Sequence, residues 1–377
     1  MRRRRVPGVL AAVILAAGLG ACGGAPQPEA VTTAVPAAAE TAAETTAETA
    51  AGTAENTAAA ETKGEAEASS AEAKAEAGEA SGKTVIRVGV PTAPPALPVI
   101  HMMEENMLGD EAEIRLDIWN APEQLIAMVQ GGEHDMFAFP LTVVAKLSNS
   151  GVPVTLMNVN TWGVTYFMTT DPEFKTWADL KGKTVYIPLQ SSPPDALTQY
   201  FLHEAGLTPG EDVEIIYAST AEVGSMLASG QAEYATLIEP QVTASMAKSD
   251  KVIRALSFED EWKRVTGTDT MIPNAGFGVT NQFLSGNPEL SAKFQTAYEE
   301  SLNWVLEHPE ETGKLAEKYL EMKAPIVTKA LPNMGLHFKS AEDAREELNT
   351  FYQLLNDFDP AMIGGKLPED GMFYHAE

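Results

Sequence analysis

From residue 84 onward, the chain alternates between short apolar runs and segments with helical periodicity. The runs TVIRVGV, AEIRLDIW, DMFAF and PVTLMNV are rich in β-branched and aromatic residues, and amphipathic segments separate them. A second series repeats this pattern with TVYIP, VEIIYA, YATLI and VIRALS. Strands that alternate with helices are typical of parallel sheets covered by helices. The pattern therefore predicts an α/β fold with two mostly parallel sheets.

The two series are copies of one pattern at an offset of about 97 residues. The first copy reads VGVPTAPPAL from Val88, and the second reads VYIPLQSSPPDAL from Val185. Each is a strand, a proline, a small or polar loop and a Pro-Pro pair. Each copy also contains an amphipathic helix that stops at a glycine, Gly132 or Gly230, 44 or 45 residues after the starting valine. The sequence therefore predicts a duplicated α/β unit.

The loops that follow the strands are the candidate ligand site. In open α/β sheets, ligands bind beyond the carboxyl ends of the strands, so two such units would face each other across a cleft. Helix N-termini aimed into the cleft are expected to supply free backbone N–H groups. The residues predicted to contact the ligand are Thr92, Pro94, Phe139, Thr142, Trp162, Gln190, Ser191, Ser192, Asp195, Glu239 and Asn274.

The chemistry of these loops favours a neutral or weakly cationic ligand, such as a heterocycle or an amine. The six loops (91–98, 138–142, 160–166, 188–195, 237–241 and 270–276) contain no Lys, Arg or His. The carboxylates of Asp195 and Glu239 would repel a divalent anion and could accept a hydrogen bond. Trp162 could stack on a planar ring, which for nucleobases contributes roughly 1–3 kcal/mol.

Each of these residues also has a purely structural interpretation. Trp162 could pack between the lobes, and Glu239 could be a hinge contact. Ser191, Ser192 and Asp195 could cap a helix, and Asn274 could form a turn. The methionines of His101–Met103 are more typical of core packing than of a metal site. No metal or cofactor is predicted.

The first 83 residues do not have the pattern of a folded domain. Residues 1–21 combine four arginines with a short apolar run, which predicts a signal peptide. Leu19-Gly20-Ala21-Cys22 resembles a bacterial lipobox, so Cys22, the only cysteine, is predicted to carry lipid, including palmitate. Residues 22–83 are rich in Ala, Thr and Glu, and they predict a disordered tether with an average span of about 40–45 Å.

The charge of the chain argues against nucleic acid as a partner. The formal net charge is −27, and residues 84–377 account for about −23 of it. Such an acidic surface repels nucleic acid and anionic lipid. The predicted attachment to the membrane is therefore through lipid at Cys22, with the folded part outside the cytoplasm.

Two segments carry a family resemblance. TWADLKGKTVYIPLQSSPPDALTQYFLHEAGLTPGEDVEII and MLASGQAEYATLIEP resemble the nitrate/sulfonate/taurine-type (SsuA/THI5-like) substrate-binding lipoproteins of ABC transporters. The resemblance implies a type II periplasmic-binding-protein fold with a ligand cleft between two lobes. Residues 84–164 plus 273–377 would form lobe 1, with the C-terminal helices packed on it, and residues 165–272 would form lobe 2.

The resemblance implies a receptor of an ABC importer that delivers a small organic solute to a permease and its ATPase. Nitrate or sulfonate binding for the same kind of importer is an alternative, as is a ligand-sensing subunit of a signalling system. A pyrimidine-synthase-like enzyme is disfavoured, because that branch uses a cysteine-rich motif and this chain has no cysteine beyond Cys22. We expect a monomer without enzymatic activity.

Overall fold

The computed structural model describes residues 83–375, which form two β-sheets. The strands of the first sheet are Thr84–Pro91 (β1), Ala112–Trp119 (β2), Met136–Pro140 (β3), Val154–Leu156 (β4), Asn158–Trp162 (β5), Pro273–Thr280 (β11) and Leu336–Ser340 (β12). Those of the second sheet are Thr165–Thr169 (β6), Thr184–Pro188 (β7), Glu214–Ala218 (β8), Tyr234–Ile238 (β9) and Ile253–Ser257 (β10). The predicted signal peptide, Cys22 and nearly all of the tether lie outside the described residues.

The two sheets share one topological core, which confirms the predicted duplication. The first sheet has the order β12-β5-β11-β3-β1-β2, with β4 paired to β11, and the second has the order β10-β6-β9-β7-β8. The central triplets β2-β1-β3 and β8-β7-β9 are parallel. Antiparallel strands, β11 and β6, border these triplets. The α/β fold class with parallel sheet cores is confirmed, whereas the strand pairs outside the two triplets are antiparallel.

Helices cover both sheets. Their bounds are Ala96–Glu104 (α1), Pro122–Gly131 (α2), Leu141–Asn149 (α3), Pro193–Glu204 (α4), Thr220–Ser229 (α5), Gln241–Lys248 (α6), Phe258–Thr266 (α7), Asn281–Gly286 (α8), Pro288–Glu307 (α9), Pro309–Leu320 (α10), Ala324–Ala330 (α11) and Arg345–Phe358 (α12). Helices α2 and α5 end at the predicted glycines, Gly132 and Gly230, which adopt left-handed conformations with φ of 71° and 77°.

Buried apolar residues form three clusters. One packs α1, α9 and α10 on the first sheet, and one packs α5 and α6 on the second sheet. The third includes residues of α3, α4, α7 and α12, together with strands of both sheets. A continuous apolar core therefore joins the two sheets.

Helix α12 contacts elements of both sheets, which corrects the prediction that all C-terminal helices pack on lobe 1. Its Tyr352 hydroxyl donates to the Leu141 carbonyl at the start of α3. Its Phe351 ring lies 6.3 Å from Trp262 of α7, and its Phe358 ring lies 5.5 Å from Tyr200 of α4. The sequence pattern shows that α12 has an apolar face, but it does not show which surface covers that face.

The strands of the second sheet come from residues 165–257, and those of the first come from the flanking segments. The lobe boundaries 84–164 plus 273–377 and 165–272 stay a prediction, since packing such as that of α12 crosses them. Among residues 83–375, no helix has both the length and the apolar character needed to cross a membrane.

Candidate functional site

A cavity of about 40 Å³ lies where strand ends of the two sheets meet. Pro91, Phe139 and Asn274 reach it from the first sheet, and Ser192 and Ile238 reach it from the second. A groove of about 690 Å³ adjoins the cavity, and five residues line both spaces: Pro91, Ala93, Trp119, Leu189 and Ile238. The strand-end loops of both copies thus share one site, as their positions in the sequence predict.

The walls of the cavity are mainly apolar, and three polar side chains line it. Thr161 donates its hydroxyl to Asn160 Oδ1 at 2.9 Å. Asn274 Nδ2 lies 3.5 Å from Thr165 Oγ1, a long contact that leaves most of its hydrogen-bonding capacity unused. The third is Ser192, whose exposed fraction is 1% and whose Oγ has no protein partner within residues 83–375.

Trp119 is a cavity residue that the sequence analysis missed. It is the last residue of β2, its exposed fraction is 2%, and it lines both the cavity and the groove. Its Nε1, which can only donate, has no protein partner in the described part of the chain. Its position at a strand terminus beside β1 is a signal that could have identified it.

The two helices that follow the Pro-Pro pairs, α1 and α4, do not supply the predicted backbone donors in their first positions. Pro193 and Pro194 occupy the first two positions of α4, and proline has no N–H. At α1, the N–H groups of Ala96 and Leu97 donate to the carbonyls of Ala93 and Pro94. The Pro-Pro pairs therefore remove hydrogen-bond donors from this surface, which corrects the expectation of free N–H groups at α1 and α4.

Asp195 supports the loop before α4 and does not line the cavity. It is buried, and its carboxylate accepts hydrogen bonds from Ser191 N, Gln199 Nε2 and Tyr217 Oη at 2.7, 2.8 and 3.0 Å. Burial raises the pKa of the Asp195 carboxyl, although these hydrogen bonds act in the opposite direction. This geometry gives Asp195 a positioning role and does not support the predicted contact with a ligand.

Glu239 borders the groove, but its carboxylate is bound within the protein. The side chain is fully buried, accepts hydrogen bonds from Thr243 N and Oγ1 at 3.0 Å, and forms an ion pair with Arg254. The Arg254 guanidinium also lies 4.4 Å from the centre of the Tyr166 ring. Burial raises the pKa of the Glu239 carboxyl. The carboxylate is therefore not available as the predicted ligand acceptor.

Trp162 lies away from the cavity. Its Nε1 donates to the His337 carbonyl at 2.6 Å, and its backbone N donates to the Gly335 carbonyl at 2.8 Å. At Gly335, φ is 60°, and a Cβ atom would lie 1.6 Å from the Trp162 carbonyl oxygen, so only glycine fits there. Trp162 lines a separate pocket near Tyr166. This placement does not support the prediction that its ring stacks on a ligand held in the cavity.

The other predicted residues divide between the cavity and its surroundings. Pro94 and Phe139 line the cavity, and Thr92 lines the groove, where its hydroxyl lies 3.1 Å from Asn120 Oδ1. Thr142 is buried and donates to the Ser191 carbonyl at 2.7 Å, which links α3 to the loop after β7. Gln190 is exposed.

Within residues 83–375, no three His, Cys, Asp or Glu side chains come together as potential metal ligands. His101 is buried and is used by packing, because its Nδ1 lies 2.8 Å from Ser301 Oγ and its ring stacks on Trp304. Among the side chains that line the cavity, Trp119, Ser192 and Asn274 have polar atoms with hydrogen-bonding capacity left for a ligand.

Solved structures with the same fold include several transport proteins. An ABC transporter protein from Parabacteroides distasonis is 20% identical, with a TM-score of 0.66, and the match covers 78% of this chain and 100% of that one. The periplasmic aliphatic sulphonate-binding protein SsuA of Escherichia coli is 15% identical, with a TM-score of 0.65 and coverage of 78% and 92%. The periplasmic nitrate-binding protein NrtA of Synechocystis is 16% identical, with a TM-score of 0.54 and coverage of 70% and 74%. These similarities confirm the periplasmic-binding-protein fold.

Sequence comparison places the chain in a family. YtlA of Bacillus subtilis is 30% identical over 139 residues, which is 37% of this chain and 39% of YtlA. A relative from Brucella abortus is 26% identical over 176 residues, which is 46% of this chain and 53% of that protein. The matched segments thus cover about two fifths of YtlA and about half of the Brucella relative. The sequence profile of the NMT1/THI5-like family matches residues 110–312, more than half of the chain, so this protein belongs to the NMT1/THI5-like family.

Proposed function

We propose that this protein is the solute-binding receptor of an ABC importer. The observation that carries the proposal is the cavity and its adjoining groove, which the strand-end loops of both sheets line together. A small solute held there would contact both halves of the fold at once. It would then be delivered to a membrane permease driven by an ATPase.

The fold supports a receptor role. SsuA binds sulphonates and NrtA binds nitrate, and both share this fold. Because sulphonates and nitrate are oxyanions, an oxyanion is the alternative ligand class for this protein. The cavity supports binding more than catalysis, because its polar side chains are Thr161, Ser192 and Asn274, and none is paired with a general base.

The proposed site of action is the extracytoplasmic face of a membrane. Cys22 would carry the lipid, and residues 22–83 would tether the folded part as a monomer. Both features are predicted from sequence, and Cys22 and nearly all of the tether lie outside the described residues. Replacing Cys22 with serine should release the mature protein from the membrane fraction and abolish labelling with palmitate. Continued retention of a mature-sized Cys22→Ser protein would contradict the anchor.

Blocking the cavity tests the receptor proposal. Ala93 lines both the cavity and the groove, and Ala93→Trp would fill the space between them. Ala292→Trp, on the exposed face of α9, is the matched control. We expect calorimetric titration with nitrate, alkanesulfonates, amines and uncharged heterocycles to find a binder that Ala93→Trp abolishes and Ala292→Trp preserves. A binder that tolerates Ala93→Trp would place the site elsewhere.

Uptake in cells tests the transport step. Deletion of the gene should abolish high-affinity uptake of the labelled binder, and the wild-type gene but not Ala93→Trp should restore it. Unchanged uptake with a changed transcriptional response to the binder would instead indicate the sensing role.

A further inference from the structure

Two buried polar atoms at the cavity have no protein partner in residues 83–375. They are Trp119 Nε1 and Ser192 Oγ, on side chains with exposed fractions of 2% and 1%. They come from different sheets and line the same cavity. Buried polar groups in folded proteins nearly always have hydrogen-bond partners, so two unpartnered groups on residues that line one space point to a ligand that supplies an acceptor.

The side chains that line the cavity itself carry no positive charge that could compensate a negative one. No Lys, Arg or His lines the cavity, although Lys248 and Lys323 line the adjoining groove. The Pro-Pro pairs at α1 and α4 remove or occupy the first backbone donors of these two helices. At the start of α6, the Glu239 carboxylate already accepts the Thr243 N–H. An anion moved from water into this cavity would lose solvation without gaining a charged partner.

The surroundings do not compensate a positive charge either. No Asp or Glu lines the cavity, although Glu239 and Glu321 line the groove. The Asp195 carboxylate accepts three hydrogen bonds from its own lobe, and Glu239 is paired with Arg254. The remaining wall is apolar, with Phe139, Ile238 and the ring of Trp119 among its members. This combination favours an uncharged molecule with an apolar body.

We infer that the ligand is an uncharged, largely apolar small molecule with a carbonyl-like acceptor that receives hydrogen bonds from Trp119 Nε1 and Ser192 Oγ. This inference rests on the proposed receptor function and names its ligand class. It narrows the sequence-based prediction by excluding amines, and it opposes the oxyanion alternative.

The first test compares probes of matched ring size and different charge. Lactams such as 2-pyrrolidinone and 2-pyridone represent the uncharged class, pyrrolidine the cations, and cyclopentanesulfonate and nitrate the anions. We expect the tightest binder that Ala93→Trp abolishes to be a lactam. An anion or amine that binds more tightly than every lactam, and whose binding Ala93→Trp abolishes, would overturn the inference and leave the receptor proposal standing. A panel in which no lactam binds the cleft would also overturn the inference, whereas the receptor proposal is judged separately by uptake.

The second test addresses the two donors. Trp119→Phe keeps the aromatic wall and removes the N–H, and Ser192→Ala removes the hydroxyl. Each should weaken lactam binding by about tenfold or somewhat less, the effect of one neutral hydrogen bond. Trp162→Phe is the matched control, because that indole donates to His337 outside the cavity, and it should leave the affinity unchanged.

Nuclear magnetic resonance on the unmodified full-length chain makes the test independent of variant folding. The sequence has five tryptophans, so the indole ¹H–¹⁵N spectrum is simple. Addition of the lactam should move the Trp119 indole proton downfield and leave that of Trp162 in place. An unmoved Trp119 resonance, together with an affinity within twofold of wild type in Trp119→Phe, would overturn the inference.

Discussion

The two Pro-Pro loops, residues 91–95 and 188–194, occupy equivalent places in the two copies but are held in different ways. In the first loop, the Thr92 side chain makes one hydrogen bond, to Asn120. In the second loop, Leu189 and Ser191 have φ of 54° and 67°, a region that non-glycine residues rarely adopt. Asp195 and Thr142 hold this loop from both directions, through the N–H and the carbonyl of Ser191.

The difference shows which part of the repeated pattern serves which purpose. In both copies the proline pair lies at the start of a helix, just before α1 and in the first turn of α4, and lacks backbone donors. The second loop additionally carries Ser192 into the cavity, and its strained backbone requires support from buried hydrogen bonds. Four predictions test this division between a shared helix start and a supported loop.

Removal of the Asp195 carboxylate should have the largest effect on stability. Asp195→Ala leaves three donors without their acceptor, and we expect the free energy of unfolding to fall by about 3 kcal/mol. Thr92→Ala, at the equivalent loop, should cost less than about 0.5 kcal/mol. Urea unfolding at pH 7 provides the measurement. Equal losses in the two variants would remove the distinction between the loops.

The stability difference between wild type and Asp195→Asn should depend on pH. Burial raises the pKa of the Asp195 carboxyl above its ordinary 3.8, so the folded state binds the proton more tightly than the unfolded state. The resulting stabilisation is fully present below the ordinary value and is lost as the pH rises through the folded-state pKa. Wild type should therefore gain stability relative to Asp195→Asn as the pH falls from 7 towards 4. Thr92→Ala should show no such trend relative to wild type, and a difference for Asp195→Asn that is flat with pH would contradict this account.

Thr142→Val should reduce stability by about 1 kcal/mol, because the hydroxyl donates to Ser191 and valine keeps nearly the same shape. The matched control is Thr92→Val, whose hydrogen bond is exposed to solvent. Thermal melts of both variants give the comparison. A loss for Thr92→Val as large as that for Thr142→Val would show that the cross-link to α3 does not support the second loop.

The smallest effect is expected at the prolines themselves. Pro94→Ala and Pro194→Ala each give the unfolded chain more conformational freedom, and each should lower the stability by about 0.5 kcal/mol. Similar losses are expected because both prolines lie at helix starts. A loss confined to Pro194→Ala would show that the proline pairs, like the polar contacts, differ between the loops.

The fold was largely predictable, because its signals are local. Alternating runs, the glycines at Gly132 and Gly230 and the proline pairs mark most elements of the duplicated unit. The bounds are less certain: the pattern predicts the first helix near Val99–Met107, whereas α1 begins at Ala96, directly after the Pro-Pro pair. The strand β12 was not predicted, since it is short and depends on packing. The helix α7 was also missed, although Ser257 caps its start and Gly267 marks its end.

The site was less predictable, because contacts between remote residues decide which side chains face it. Loop position correctly brought Pro94, Phe139, Ser192 and Asn274 to the cavity. It did not indicate that the Trp162 indole donates a hydrogen bond to a carbonyl 175 residues away, or that Arg254 forms an ion pair with Glu239. Trp119 and Trp162 each end a strand, so the sequence does not distinguish the tryptophan that lines the cavity from the one that is hydrogen-bonded elsewhere.

Helix α12 limits how the two halves of the fold can move. The chain passes between the sheets twice, between β5 and β6 and between β10 and β11, and α12 adds a non-covalent bridge to α3, α4 and α7. A rotation that widens the groove must therefore pivot close to this helix or break its aromatic contacts. Because three attachments join the two halves, twisting and sliding of one half against the other are suppressed. The motion that remains is hinge bending.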